Sequence, residues 1–228
     1  MTLVVAHRGA SAAHPPGNTI PAFAAARPLG ADGVELDTHL SADGVIVVHH
    51  DPVLADGRAL GSLRHDEMPS DVPSLAEAID ACAGLHVNVE IKPDGPDALR
   101  PALIAAVTSL LASFDAPDRF LVTSFSDAIV DAVRALDPSI PTGQLTMIDG
   151  RGTDGAFLAA IRARGHSAVN PWFGHVDGAF VERAHIAGLA VNVWTVDDVT
   201  DMRALIDIGV DAIITNVPDV CRGVVGER

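Results

Sequence analysis

Two short runs of this chain carry acidic residues at strand spacing. Glu35 and Asp37 stand two apart in Val34-Glu35-Leu36-Asp37, and Asn88, Glu90 and Lys92 alternate with Val87, Val89 and Ile91. Residues two apart on a strand point the same way, so each run has an apolar face and a face bearing carboxylates. Three carboxylates facing one space repel each other, which raises their pKa values or demands a cation. Two kinds of cation are available. An all-oxygen donor set of Glu35, Asp37 and Glu90 suits a hard divalent ion, Mg²⁺ or Ca²⁺, better than zinc. Alternatively, Arg8 and Lys92 neutralise the group as ion pairs. His7 closes an apolar run just before Arg8-Gly9, and His50 precedes Asp51. Each imidazole can take or give a proton near neutral pH, and Asp51 stands where it can orient one. His14, His39, His49, His65, His86, His166, His175 and His185 read as surface or packing residues. With a divalent ion, Arg8 and Lys92 set against the three carboxylates, the balance is slightly positive, and neutral once Asp51 is included. Such a pocket accepts a phosphodiester monoanion, whereas the same pocket without the ion is negative and rejects it.

Placing these groups together requires a scaffold with strand ends at one mouth. Strand-like runs occur at residues 3–6, 33–37, 86–91, 119–124, 141–146, 167–170, 189–194 and 211–215. Helical spacing fills residues 19–27, 74–83, 96–113, 126–136, 154–163, 177–187 and 197–208. Ser74 with Glu77 reads as a capping box, and Gly30, Gly84, Gly165, Gly188 and Gly209 sit where helices should stop. Eight strands alternating with helices predict an α/β fold, a (β/α)₈ TIM barrel, as one domain over residues 1–228. A doubly wound open sheet shares that alternation and is the competing architecture. A further run at 45–50 follows Asp43-Gly44 and is expected to fold back on strand two as a hairpin. Barrel active sites lie at the C-terminal strand ends, where both acidic clusters fall.

Composition narrows the partners. The 228 residues include 30 acidic and 15 basic side chains, a formal charge of −15. That balance offers no footprint for a nucleic-acid backbone and is repelled by an anionic membrane surface. At 48% apolar residues the chain is built to fold. No stretch has the length of a membrane span, and the opening Met-Thr-Leu-Val-Val-Ala-His-Arg lacks a basic leader, so a small-molecule partner, no membrane anchor and a cytoplasmic setting are expected. Cys82 and Cys221 share no metal spacing and read as separate thiols. Gly150-Arg151-Gly152-Thr153-Asp154-Gly155 matches a dinucleotide fingerprint, but the next strand-like run ends at Asn170 with no acidic residue, so it reads as a turn.

Taken in order, Ala6-His7-Arg8-Gly9, Asn18-Thr19, Ala22-Phe23, Gly30-Ala31-Asp32, Glu35-Leu36-Asp37, Asp43-Gly44, Val47-Val48-His49-His50-Asp51, Pro73-Ser74-Leu75, Glu90-Ile91-Lys92, Ser124-Phe125 and Val193-Trp194-Thr195 resemble the glycerophosphodiester phosphodiesterase family. The resemblance runs from residue 3 to about Pro218. It implies a (β/α)₈ barrel, one divalent cation, Ca²⁺ or Mg²⁺, and hydrolysis of glycerophosphodiesters to glycerol 3-phosphate and an alcohol. Carried over by position, Glu35, Asp37 and Glu90 match metal ligands and His7 and His50 an acid–base pair. Arg8 and Lys92 match cations on phosphate oxygens and Trp194 an aromatic at the substrate pocket, with Asn18 and Asp51 supporting from behind. Three departures stand out: Gly17 replaces a usual Glu, residues 54–59 replace an Arg-Thr-Thr-like segment, and Asn216 follows Thr215 where Asp is common. Two other functions share the pattern. A lysophospholipase D or sphingomyelinase-D-like enzyme needs an apolar entrance, for which Trp172, Phe173 and Phe180 are candidates; a non-catalytic barrel would bind glycerophosphate or metal without turnover. A binuclear amidohydrolase is disfavoured because Ala6-His7-Arg8 lacks paired metal-binding histidines.

Overall fold

The computed structural model describes residues 1–82, 84–147 and 155–227. Among the described residues nine strands form one sheet: β1 (Leu3–His7), β2 (Gly33–Leu40), β3 (Ile46–Val48), β4 (His86–Ile91), β5 (Phe120–Ser124), β6 (Thr142–Thr146), β7 (Ala168–Pro171), β8 (Ala190–Val193) and β9 (Ala212–Thr215). Eight are parallel, and β1 pairs with both β2 and β9, so the sheet closes into a barrel. That closing pair excludes the doubly wound alternative. Each barrel strand is followed by a helix: α1 (Ile20–Ala26), α2 (Leu75–Ala81), α3 (Arg100–Ala112), α4 (Asp127–Leu136), α5 (Gly155–Ala163), α6 (Gly178–Ile186), α7 (Val199–Asp207) and α8 (Pro218–Gly226). Among the described residues no helix is long and apolar enough to cross a membrane.

Strand alternation sorts side chains between two environments. Val34, Leu36, Val87, Val89 and Val122 point outward and join the apolar layer under α1 to α4. Val4, Val169, Val191, Val193 and Ile213 do the same beneath α5 to α8. The opposite faces line the barrel interior, where register sets Glu35 level with both His7 and Asn88, and Asp37 level with Glu90. The expected hairpin is present but shorter: β3 pairs antiparallel to the extension of β2, with Leu40 opposite Ile46 and Thr38 opposite Val48. Beyond Val48 the His49 N–H still donates to the Asp37 carbonyl at 3.1 Å, and His50 follows at the barrel mouth. Cys82 and Cys221 are free and lie in separate core layers.

Several boundaries differ from the sequence reading for physical reasons. The helix expected from residue 96 starts at Arg100, because a start at 96 would put Pro101 inside the helix without its N–H; at Arg100 the proline occupies the first turn. Arg100 Nη2 instead reaches back to the Pro93 carbonyl (2.7 Å). The expected start at Asp197 is displaced as well: Asp198 caps α7, its Oδ1 accepting from the N–H groups of Thr200 and Asp201 at 2.7 and 3.2 Å, which leaves Asp197 outside the helix. Helix α8 was not among the expected helices, although Pro218 at its start and Cys221, Val224 and Val225 on one buried face mark it. The capping box on α2 forms as expected. The glycine-rich turn lies outside the described residues apart from Gly155, which opens α5.

Burial sets the outcome of trimming side chains here. Phe180 is fully buried against β8, and Phe180→Ala should reduce unfolding free energy by about 3–5 kcal/mol. Ile186, 80% exposed on the same helix, should tolerate alanine within about 0.5 kcal/mol. Urea unfolding of the two variants checks the contrast.

Candidate active site

The first loop carries two of the expected site side chains, Arg8 and Asn18, on left-handed backbone. After His7 the chain passes through Arg8 (φ 56°) and Gly9 (φ 75°), and nine residues later through Gly17 (φ 86°) and Asn18 (φ 55°). The two turns are tied by the Asn18 N–H donating to the Arg8 carbonyl at 2.9 Å. A Cβ at Gly17 would lie 2.8 Å from Arg8 Cβ and 2.9 Å from Ser11 Cβ, so the glutamate usual in the resembled family has no room here. Rigidity is supplied next door: Asn18 Nδ2 donates to Asp37 Oδ2 at 2.8 Å, and the Asp37 N–H donates to Asn18 Oδ1 at 3.4 Å. Residues 54–59 form a separate turn and none of them lines the site cavity.

The three acidic residues meet as the strand register demands. Glu35, Asp37 and Glu90 are all buried, and each offers a carboxylate oxygen within 4.8 Å of the other two, a group that could hold a metal ion. The ion-pair reading is realised beside it. Lys92 Nζ sits 3.3 Å from Asp37 Oδ1 and 3.2 Å from Glu90 Oε1, and Arg8 Nε is 3.4 Å from Asp37 Oδ2. Neither the Lys92–Glu90 nor the Arg8–Asp37 contact has hydrogen-bond geometry, so buried Glu90 Oε1 and Arg8 Nε lack hydrogen-bond partners. Two cations against three carboxylates leave one negative charge uncompensated. Burial, then the neighbouring Asp37 and Glu90 charges, pushes Glu35 well above the usual carboxylate range. Burial and Asp37 likewise push Glu90 up to about 7. Burial alone would raise Asp37 too, but Lys92, Arg8 and the Asn18 hydrogen bond outweigh it and hold that group low. An all-carboxylate donor set with an unpartnered buried oxygen and two carboxyls pushed toward their neutral forms fits a hard divalent cation.

Both histidines stand at the rim of this cluster. His7 Nε2 is 3.9 Å from Glu35 Oε2, and its Nδ1 is 2.7 Å from Asn216 Oδ1. Burial, followed by the Arg8 charge, lowers the His7 pKa against the opposing pull of Asn216, Asp37 and Asp197. His50 Nδ1 is 2.7 Å from Asp51 Oδ1, the pairing expected from their adjacency, and its carbonyl is 3.2 Å from the buried His39 Nε2. Together with Arg8, Lys92, Thr123, Phe125, Leu145, Trp194 and Ile214, these groups line a cavity of about 130 Å³. One wall is charged and the other apolar. Trp194 donates its Nε1–H to the Asn170 carbonyl (2.8 Å) and meets Phe125 edge to face, with ring centroids 5.5 Å apart.

The apolar wall corrects one expectation. Phe180 is in the core, and Trp172 packs on Phe173 and His175; none of Trp172, Phe173 and Phe180 lines the cavity. Phe125, Leu145 and Ile214 do. Leu145 and Ile214 carry no signal in sequence, since aliphatic residues in strands are expected to pack. Asn216 and Asp197 were likewise not singled out as site residues. A larger opening of about 210 Å³ at the N-terminal strand ends, bordered by Leu3, Leu121 and Ala212, brings no carboxylate cluster together among the described residues.

Comparison with known proteins gives a consistent picture. A profile of the Glycerophosphoryl diester phosphodiesterase family matches residues 7–62 and 55–220. A glycerophosphodiester phosphodiesterase of Caldanaerobacter subterraneus subsp. tengcongensis is 30% identical across 96% of this chain and 95% of its own length. One from Bacillus subtilis is 31% identical across 96% of this chain and 84% of its own. A phosphodiesterase of Oleispira antarctica, solved with the product sn-glycerol-3-phosphate, superposes with a TM-score of 0.87 at 25% identity, covering 99% of this chain and 97% of that one.

The raised carboxyls tie stability to pH. Glu90 has an ordinary pKa of 4.5 and a folded value of about 7, so its contribution is fully present below the first and is lost as pH rises through the second. Protein stripped with chelator should therefore melt at lower temperature at pH 8 than at pH 5.5, and Glu90→Gln should flatten that trend. Added Mg²⁺ or Ca²⁺ should raise the melting temperature more at pH 8, where the carboxylates are ionised. Differential scanning fluorimetry across pH reads all three effects.

Proposed function

The chain belongs to the glycerophosphoryl diester phosphodiesterase family, and from that footing we propose that it hydrolyses glycerophosphodiesters to sn-glycerol 3-phosphate and an alcohol. The observation that carries this reading is the meeting of Glu35, Asp37 and Glu90 with Arg8 and Lys92 between two histidines at one barrel mouth. We take residues 1–228 to act as one barrel domain. A cytoplasmic setting fits its two unpaired, buried thiols.

Glu35, Asp37 and Glu90 would hold a hard divalent cation, Mg²⁺ or Ca²⁺. When bound, that ion supplies positive charge for phosphoryl oxygens and offsets the carboxylates. Arg8 and Lys92, already drawn inward by Asp37, bind the non-bridging oxygens of the diester and stabilise charge that builds on them. His7 is the proton acceptor, because burial disfavours its charged form and its Nε2 faces the cluster. The proton it takes comes from water or from the substrate's own glycerol hydroxyl. His50, held through Nδ1 by Asp51 and open on its other side, delivers a proton to the departing alkoxide. Trp194 and Phe125 face the carbon skeleton of the bound ester.

Glycerophosphocholine incubated with the protein should yield glycerol 3-phosphate, cease to do so in EDTA and resume on adding Mg²⁺ or Ca²⁺. A lysophospholipid run in parallel distinguishes the lipid-diester reading, and binding without turnover would favour the non-catalytic barrel. His7→Asn should lower kcat by about 10²–10⁴-fold while leaving the ion bound, whereas Glu90→Ala should lose ion and activity together. Isothermal titration with the ion alone separates these two variants. Undiminished turnover by His7→Asn would overturn its assigned role.

A further inference from the structure

Behind His7 lies a chain of polar groups that the substrate pocket does not contain. Asn216 follows β9, and Asp197 precedes the cap of α7. Asp197 Oδ1 accepts from the Asn216 backbone N–H at 2.8 Å and from Thr215 Oγ1 at 2.9 Å, while Asp197 Oδ2 accepts from Asn216 Nδ2 at 2.7 Å. Three donors therefore fix both the place and the orientation of this carboxylate. An ionised carboxylate can only accept, so the Asn216 atom facing it must be the amide nitrogen. The amide oxygen then has to face the other way, where it takes Ser11 Oγ–H at 2.8 Å and stands 2.7 Å from His7 Nδ1.

That orientation decides a proton position. An amide oxygen carries no hydrogen, so the short contact to His7 requires the proton on Nδ1. Nε2 is left with its lone pair, directed toward the carboxylate cluster where Glu35 Oε2 is 3.9 Å away. We infer that Asp197 and Asn216 are positioning residues that set the His7 tautomer in relay, the carboxylate aligning the amide and the amide fixing the imidazole. The relay rests on the reading of His7 as the proton acceptor. It also gives a physical meaning to Asn216, where Asp is common in the resembled family. With Asp197 already 2.7 Å away, an Asp at 216 would set two carboxylates against each other, so the negative charge belongs one residue further from the imidazole. The sequence reading of α7 as starting at Asp197 hid this role; with Asp198 taking the cap, Asp197 is free to align the amide.

A reciprocal exchange tests the relay. In Asp197→Asn the new amide offers Nδ2–H toward position 216, so Asn216 turns its oxygen to meet it and presents Nδ2–H to His7, which must then carry its proton on Nε2. Although Asp197 does not touch His7, this variant should lower kcat on glycerophosphocholine by about 10²-fold, with KM changed less than about threefold. Asn216→Asp should also lose activity, because its carboxylate faces Asp197. The double exchange Asp197→Asn, Asn216→Asp restores every donor to an acceptor and should recover kcat to within about fivefold of the parent, since only the charge has moved. In Mg²⁺-supplemented protein labelled at histidine nitrogens, the ¹⁵N shifts of His7, assigned by their loss in His7→Asn, should report an Nδ1–H tautomer in the parent and the double variant and an Nε2–H tautomer in Asp197→Asn. The relay is overturned if Asp197→Asn keeps both the parental kcat and the parental shifts, or if the double variant is no better than the weaker single. A parent that hydrolyses no glycerophosphodiester would sink the functional reading instead, and the ¹⁵N shifts of parent and Asp197→Asn would still decide the relay.

Discussion

Everything at the mouth of this barrel depends on an unequal count of buried charges. Three carboxylates share a small enclosed space with two nearby cations, and burial, reinforced by their mutual repulsion, works against all three staying ionised. Asp37 takes both cations and stays a carboxylate, while Glu35 and Glu90 are driven toward their neutral forms. Glu35, Asp37 and Glu90 could hold a divalent ion, and such an ion would offset the conflict. For a chain of net charge −15 that local reversal would make an anionic phosphodiester admissible at this mouth.

The two imidazoles are held differently, and the difference follows from what stands behind each. His50 has a carboxylate directly on Nδ1 and is half open to solvent. His7 has a neutral amide on Nδ1, with Asp197 one step beyond, and is largely enclosed beside Arg8. The negative charge thus lies against one ring and one residue further from the other, an asymmetry that supports the different roles proposed for the two residues. Backbone conformation supports the arrangement: left-handed turns at Arg8-Gly9 and Gly17-Asn18 pack against one another and direct Arg8 and Asn18 onto the same carboxylate.

Register explains why these groups coincide at all. Parallel pairing sets His7 level with Glu35 and Asp37 level with Glu90, so each interior layer receives polar groups from adjacent strands while their outward neighbours pack under the helices. Shifting any one of these strands by a residue would turn its carboxylates under the helices and its valines into the mouth. The hairpin adds a further constraint: β3 stops at Val48, and the two residues that follow bring His50 across to the same opening.

The amino-acid order alone determined the alternation of strands and helices, the acidic faces of β2 and β4, the hairpin after Asp43-Gly44 and the series of short motifs that mark the family. These are local properties, set by side-chain period and turn chemistry within a few residues. Closure of the barrel was decided only by the pairing of β1 with β9, an interaction between residues separated by most of the chain. The identity of the apolar wall was likewise tertiary: Phe180 looks suited to line a pocket and Leu145 does not, yet helix packing buries the first and strand register turns the second inward. So too for Asn216 and Asp197, ordinary polar residues in sequence. Asn216 meets His7, with Asp197 behind it, because ring closure brings the end of the chain beside its beginning, and hydrogen bonds across such a distance have no period for sequence to display.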